Sequence, residues 1–194
     1  LLHSMMDENH HITIPGYLDP VQPPSREELE LIKTIPMDLA AYKAEYAVER
    51  LVCSDKTGED LVRELLYSPT CNISGMRSGW TGERGKTIVP CEAWVRLDLR
   101  LIKDMTAEDA ARRLEEFVKA SPYGPFEITA VPSVPPYKIS PSDELVQTAI
   151  RLAGETYGAD PVVWPYLDGT APFGLFPQYI GGDIFVIGLG APFA

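Results

Sequence analysis

Cysteine and positive charge are both scarce in this chain. Cys53, Cys71 and Cys91 are its only cysteines, an odd number with no C-x-x-C spacing. That argues against a disulfide framework and suits free thiols in a reducing compartment, so a cytoplasmic location is the expectation. Lys and Arg total 17 against 28 Asp and Glu, giving a formal charge of −11 and a pI near 4.7. Such a field repels phosphates, so neither a nucleic acid nor an anionic membrane surface is the expected partner. No apolar run reaches the ~18 residues of a membrane helix. The start, Leu1-Leu-His-Ser-Met-Met-Asp-Glu8, lacks the basic residues that open a signal peptide. No internal repeat and no low-complexity tract is present. Hydrophobic residues make up 45% of the 194, enough for a core of one large domain, or of one domain and part of a second.

One tempting motif also lacks a part. Trp80-x-x-x-x-Gly85-Lys86-Thr87 imitates a phosphate-binding loop, but its first glycine is missing. Such a loop must open a helix, whose N-terminus faces the anion. Here Pro90 follows three residues after Thr87, and the residues then alternate. Cys91, Ala93, Val95, Leu97 and Leu99 fall on one side, with Glu92, Trp94, Arg96, Asp98 and Arg100 on the other. Period two predicts a half-buried strand, with Cys91 a small hydrophobe on its inner face. Gly188-Leu-Gly190 likewise lacks the third glycine and the helix of a dinucleotide fingerprint.

Four prolines and a glycine keep His10 to Pro24 out of helix, so it reads as a surface excursion. His10 and His11 are adjacent, point to opposite sides of an extended segment and have no ligand spacing around them; exposed loop histidines are expected. Ser25 predicts an N-cap for a helix through about Thr34, Asp38 for another through Tyr46, and Thr57 or Glu59 opens one over Leu61 to Tyr67. Strands are predicted at Cys71 to Met76, Ile88 to Leu101 and Phe126 to Val134. Between the last two, Thr106 caps an amphipathic helix with Ala110, Leu114, Phe117 and Val118 as its apolar stripe and Glu108/Arg112 and Asp109/Arg113 as pairs. Helices on one face of an antiparallel sheet follow.

After Val134 the pattern changes. Ser140-Pro141-Ser142-Asp143 starts a helix with Pro at its first position, with Leu145, Ala149, Leu152 and Ala153 buried and Gly158 ending it. Val162 to Trp164, a loop at Asp168 to Pro172, a short helix to Tyr179 and an apolar strand Ile184 to Ile187 predict an α/β unit with a parallel sheet. The expected class is therefore α+β: residues 1–134 as one domain and 135–194 as part of an α/β domain. Leu1 to Met6 reads as the end of a helix already under way, and the chain stops just past a strand, so a piece of a longer protein is expected.

Several segments, in order, resemble the dinuclear-zinc exopeptidases that include aminoacylase, carboxypeptidase G, succinyl-diaminopimelate desuccinylase and carnosine dipeptidase, the last branch most of all. Asp7-Glu-Asn-His-His-Ile-Thr-Ile-Pro-Gly-Tyr17 resembles D-E-D-G-R-I-x-I-P-G-F-Y, Asn72-Ile-Ser-Gly75 resembles N-I-x-G, and Lys86-Thr-Ile-Val-Pro90 resembles K-T-V-I-P. Arg96-Leu-Asp-Leu-Arg-Leu101 resembles F-x-x-R-L, Asp168-Gly-Thr-Ala-Pro172 resembles G-G-S-I-P, and Gly188-Leu-Gly190 the G-x-G before the last metal-binding histidine.

The resemblance implies that residues 1–134 are most of a lid, or dimerisation, domain and residues 135–194 the start of the returning catalytic domain. It implies a parent enzyme with two zinc ions that cleaves small peptides or N-acyl amino acids. The metal ligands and general base would lie outside this chain, leaving the piece inactive alone. It makes Arg100 the grip on the substrate carboxylate, Thr87 a residue reaching a neighbouring subunit's site in a homodimer, and Gly169 and Thr170 lining of the substrate pocket. Asp168 in place of Gly, and no Arg near Leu167, depart from the pattern and leave substrate preference open. On alternation alone Arg100 reads as a surface arginine paired with Asp98 or Glu92. The competing function is a non-enzymatic module that self-associates through an exposed sheet edge.

Overall fold

The computed structural model describes residues 1–51, 55–131, 133–167, 169 and 171–188. Its class is α+β: helices around a two-stranded antiparallel ribbon. A 3-10 turn at Leu2–Met5 leads to an antiparallel bridge between Met6 and Ile12, so the His10–Pro24 excursion is pinned at its root. Gly16 belongs where it is for two reasons. Its φ is +71°, and the Arg113 guanidinium lies where a Cβ would be, 1.8 Å from Nη1.

Helix α1 (Arg26–Thr34) begins in a full capping box: Glu28 N–H donates to Ser25 Oγ at 3.2 Å, and Ser25 N–H donates to Glu28 Oε2 at 2.7 Å. Asp38 caps α2 (Leu39–Glu45) through the N–H groups of Ala40 and Ala41. Helix α3 (Gly58–Tyr67) buries Leu61, Val62, Leu66 and Tyr67, and packs Val62, Leu66 and Tyr67 against Ile32 and Ile35. Strands β1 (Thr70–Ser78) and β2 (Ala93–Arg100) pair from Thr70 opposite Arg100 to Ser78 opposite Ala93, with a bulge between Ile73 and Gly75. Thr106 caps α4 (Ala107–Ala120), whose Ala110 joins a second core cluster with Met5, Ile12, Ile14, Tyr17, Cys71, Ile102 and Met105. Arg112 pairs with Asp109 and with Glu116 at 2.8 Å rather than with Glu108, while Arg113 meets Asp109 at 2.7 Å as expected.

Helix α5 (Glu144–Tyr157) is capped by Asp143, not started at Pro141. Ser140 Oγ is held by Ser142 instead, and Asp143 Oδ1 accepts from Leu145 N–H at 2.9 Å. Val146 is the buried residue of α5, and Leu145 and Leu152 stand exposed, so the expected inner face is displaced toward Val146. A 3-10 turn Pro172–Gly174 runs into α6 (Leu175–Tyr179).

Three expected strands are corrected. Phe126 to Val134, Val162 to Trp164 and Ile184 to Ile187 form no ladder among the described residues, so no parallel sheet follows residue 134 there. Alternation names a face but supplies no partner strand. At Ile184 the backbone N–H is taken by the Tyr137 hydroxyl at 3.2 Å, which itself donates to Asp183 at 2.8 Å. Cys91 is also corrected: it lies before β2 begins and is exposed, whereas Cys71 is buried and its thiol ionises less readily for that reason. No described helix is long and apolar enough to cross a membrane.

Candidate functional site

The register of the ribbon sorts its side chains onto two faces. Cys71 and Ile73 on β1 oppose Leu99 and Leu97 on β2, and Cys71, Leu97 and Leu99 pack into the core that contains Ile102 and Ala110. Thr70 and Asn72 oppose Arg100 and Asp98 on the outward face. The bulge at Ser74 keeps this sorting going. Gly75 then opposes Arg96, and its missing Cβ leaves room for the Trp94 ring, which would lie 3.3 Å away. Trp94 in turn carries the Arg96 guanidinium 5.1 Å from its ring centroid. Arg100 is exposed, at the last position of β2, on the face away from the hydrophobic layer.

Thr87 sits in the connection between the strands, which leaves from the opposite end of the ribbon. Seven strand steps separate Ala93 from Arg100, roughly 23 Å. Pro90 packs at that far end, where its Cγ would be 3.5 Å from a Cβ on Gly79. Thr87, three residues before Pro90, can reach back about 10 Å at most, so it stays at least about 10 Å from Arg100 in the same chain. Thr87 and Arg100 therefore belong to opposite ends of the ribbon.

Gly169 is exposed, and a Cβ there would lie an ordinary 3.6 Å from the Leu167 side chain. Thr170 and Asp168, like Cys53 and Gly190, lie outside the described residues. A tie unseen in the sequence holds the approach to Gly169. The Tyr166 hydroxyl accepts the Lys103 N–H at 3.1 Å, just past the end of β2, and the Tyr166 ring packs against both core clusters. This puts Tyr166 on the Arg100 end of the ribbon, away from Thr87. Burial raises the Tyr166 hydroxyl's pKa, keeping it neutral.

Beside this tie lies a cavity of about 390 Å³, walled by Glu28, Tyr67, Lys103, Lys138 and Tyr166 among others. The Lys138 ammonium pairs with Glu28 and lies 4.8 Å from the Tyr67 ring centroid and 6.0 Å from that of Tyr166. Burial pushes the Glu28 carboxyl's pKa up, but the hydrogen bonds from Lys138 and Ser25 and the Lys138 charge outweigh it and hold the carboxyl below the usual glutamate range. Glu28 and Lys138 satisfy each other, so the cavity reads as a solvated seam and not as a ligand site.

Of the two adjacent histidines, His10 matches the expected exposure and His11 departs from it. His10 is exposed with φ at 67°, but His11 is half-buried between two carboxylates: Nδ1 is 3.0 Å from Asp7 Oδ2 and Nε2 is 3.6 Å from Asp55 Oδ1. Backbone N–H groups of His11 and Asn9 bind Asp7 Oδ1, and the first of these leads the lowering of the Asp7 pKa. His11 thus works as a structural tie at the root of the excursion.

No family model matches the chain. Known proteins do. The human β-Ala-His dipeptidase is 26% identical over 98% of this chain and 38% of its own length, and the rat protein 26% over 83% and 33%. Among solved structures, an M20 family metallo-carboxypeptidase from Sulfolobus solfataricus superimposes with a TM-score of 0.82 at 31% identity, across 93% of this chain and 40% of that one. Human carnosine dipeptidase 1, at 0.76 and 23%, and a dipeptidase from Saccharomyces cerevisiae, at 0.66 and 20%, share the fold over 94% of this chain and 39% and 38% of theirs. The resemblance read from the motifs therefore holds along nearly the whole sequence: the chain is similar to dipeptidases and to a metallo-carboxypeptidase, and spans a third to two fifths of the length of those it matches.

Proposed function

We propose that this chain is part of a metal-dependent exopeptidase or amidohydrolase of the dipeptidase type, in which it supplies subunit association and the hold on the substrate's carboxylate. The observation that carries the reading is the superposition over 93% of the chain on a metallo-carboxypeptidase at 31% identity. Residues 1–134 act as the lid domain and residues 135–194 as the start of the returning catalytic domain.

The two zinc ions of such an enzyme do not fit the residues described here. No group of three or more His, Cys, Asp or Glu stands close enough to hold a metal among them, and Asp7, beside His11, is already spent on backbone N–H groups and on that histidine. The metal ligands and the general base of such an enzyme belong to other parts of the whole protein.

Arg100 presents a planar guanidinium from a rigid strand, and two parallel N–H bonds to a terminal carboxylate fix a small substrate in orientation as well as position. Gly169 lets the backbone come close to the bound molecule, and the motif resemblance assigns Thr170 to the same substrate pocket. Thr87, at the opposite end of the ribbon from Arg100, donates or accepts a hydrogen bond in the site of a second subunit. Met76, at 64% exposure, and Val95 share the ribbon's inner face beyond the reach of the core, which favours a second copy as the covering partner.

The same exposed stretch favours the second reading, a self-association module without hydrolytic activity. The full-length, zinc-loaded protein, assayed against dipeptides and N-acyl amino acids with its sedimentation recorded in parallel, separates them. Release of a free amino acid by a dimer is the expected result; dimers that cleave none of these substrates would leave only the association module.

A further inference from the structure

The connection between β1 and β2 is organised by one side chain. Trp80 Nε1–H donates to the Arg84 carbonyl at 2.6 Å, closing a turn over residues 80–84. The Lys86 ammonium lies 5.1 Å from the centroid of the same ring. The ring also fills the space above Gly82, where a Cβ would come within 2.5 Å of Cζ2, so residue 82 carries no side chain without displacing it. Gly79 opens the turn at φ +70°. Trp80 is 53% exposed, so core burial does not account for it; its contacts are within its own loop.

We infer that Trp80 is a positioning residue: it holds the 80–86 turn closed and so fixes Lys86, and with it Thr87, in the orientation presented to the neighbouring subunit. This rests on the assignment of Thr87 to a partner's substrate site. A long connection without an anchor samples many conformations, and ordering Thr87 only on substrate binding would cost affinity. Trp80 removes that cost in advance. The ring face and the indole N–H act on different ends of the loop, the first on Lys86 and the second on Arg84.

The test uses full-length, metal-loaded protein and four variants: Trp80→Ala, Trp80→Phe, Thr87→Ala and the Trp80→Ala/Thr87→Ala pair. kcat and KM are measured with sedimentation and thermal midpoint alongside. Trp80→Ala is expected to lower kcat/KM about ten- to a hundredfold, mostly through KM, with subunit association and midpoint unchanged. Trp80→Phe, which keeps a ring for Lys86 but loses the N–H donor, falls between. The pair is no worse than Thr87→Ala alone, because Trp80 acts through Thr87. Normal kinetics in Trp80→Ala beside an impaired Thr87→Ala, or losses that multiply in the pair, overturn the inference while leaving the Thr87 assignment standing. A harmless Thr87→Ala removes that assignment and this inference with it.

Discussion

Lys138 closes on Glu28 where the segment after Pro136 meets the first turn of α1, and the same Glu28 carboxylate completes the capping box with Ser25. One side chain thus serves a local helix start and a tie to a distant part of the sequence. A separate bond, from Lys103 N–H to the Tyr166 hydroxyl, ties Tyr166 to the ribbon end that carries Arg100.

Removing Lys138 leaves a carboxylate that is only 6% exposed without its cation. Lys138→Met should cost about 3 kcal/mol, at the low end for breaking a buried pair because the adjoining cavity admits water. Glu28→Gln keeps an acceptor for Ser25 N–H but strands the ammonium, so it should also destabilise. Urea unfolding measures both. The Glu28 pKa is lower folded than unfolded, so its stabilisation is complete above the ordinary glutamate pKa and lost as pH falls through the folded value. The gap between wild type and Lys138→Met should therefore narrow on acidification; a gap constant down to pH 3 would deny the pair its role.

Tyr17 and Tyr166 should respond oppositely to loss of a hydroxyl. Tyr17 is buried, and its hydroxyl has no hydrogen-bond partner among the described residues. Tyr17→Phe removes an unsatisfied group and should be neutral or slightly stabilising. Tyr166→Phe loses the bond to Lys103 N–H and should cost about 1 kcal/mol. Equal changes in unfolding midpoint would contradict this pairing.

Gly174 is buried, and a Cβ there would meet the Pro135 carbonyl oxygen at 2.5 Å. Its φ of −65° suits any residue, so the objection is steric alone. Gly174→Ala should cost about 1–3 kcal/mol by overpacking. An unchanged thermal midpoint would show that α6 is free to move from Pro135.

What the sequence made legible was local. Ser25 with Glu28, Asp38 and Thr106 announce their helices because cap and helix lie within a few residues of one another. Arg100 is readable as outward-facing because alternation needs no knowledge of the partner strand. Phe126 to Val134 alternates just as well, yet a ladder requires a second strand that no local pattern can promise. Asp143 displaced Pro141 as the start of α5 because two capping sequences overlapped and the aspartate made the bond. Tyr166 and Lys138 were missed altogether, since their partners Lys103 and Glu28 are remote in sequence and neither type marks a site by itself.

The central claim is that Arg100 binds the carboxylate of a small substrate. In the full-length, metal-loaded protein, KM should be measured for Arg100→Ala with a free-acid substrate and with its C-terminal amide. Losing a charge-assisted, bidentate contact should raise KM for the acid about ten- to a hundredfold and leave the amide nearly unchanged. The same rise for both would contradict the account and return Arg100 to the role of a surface arginine.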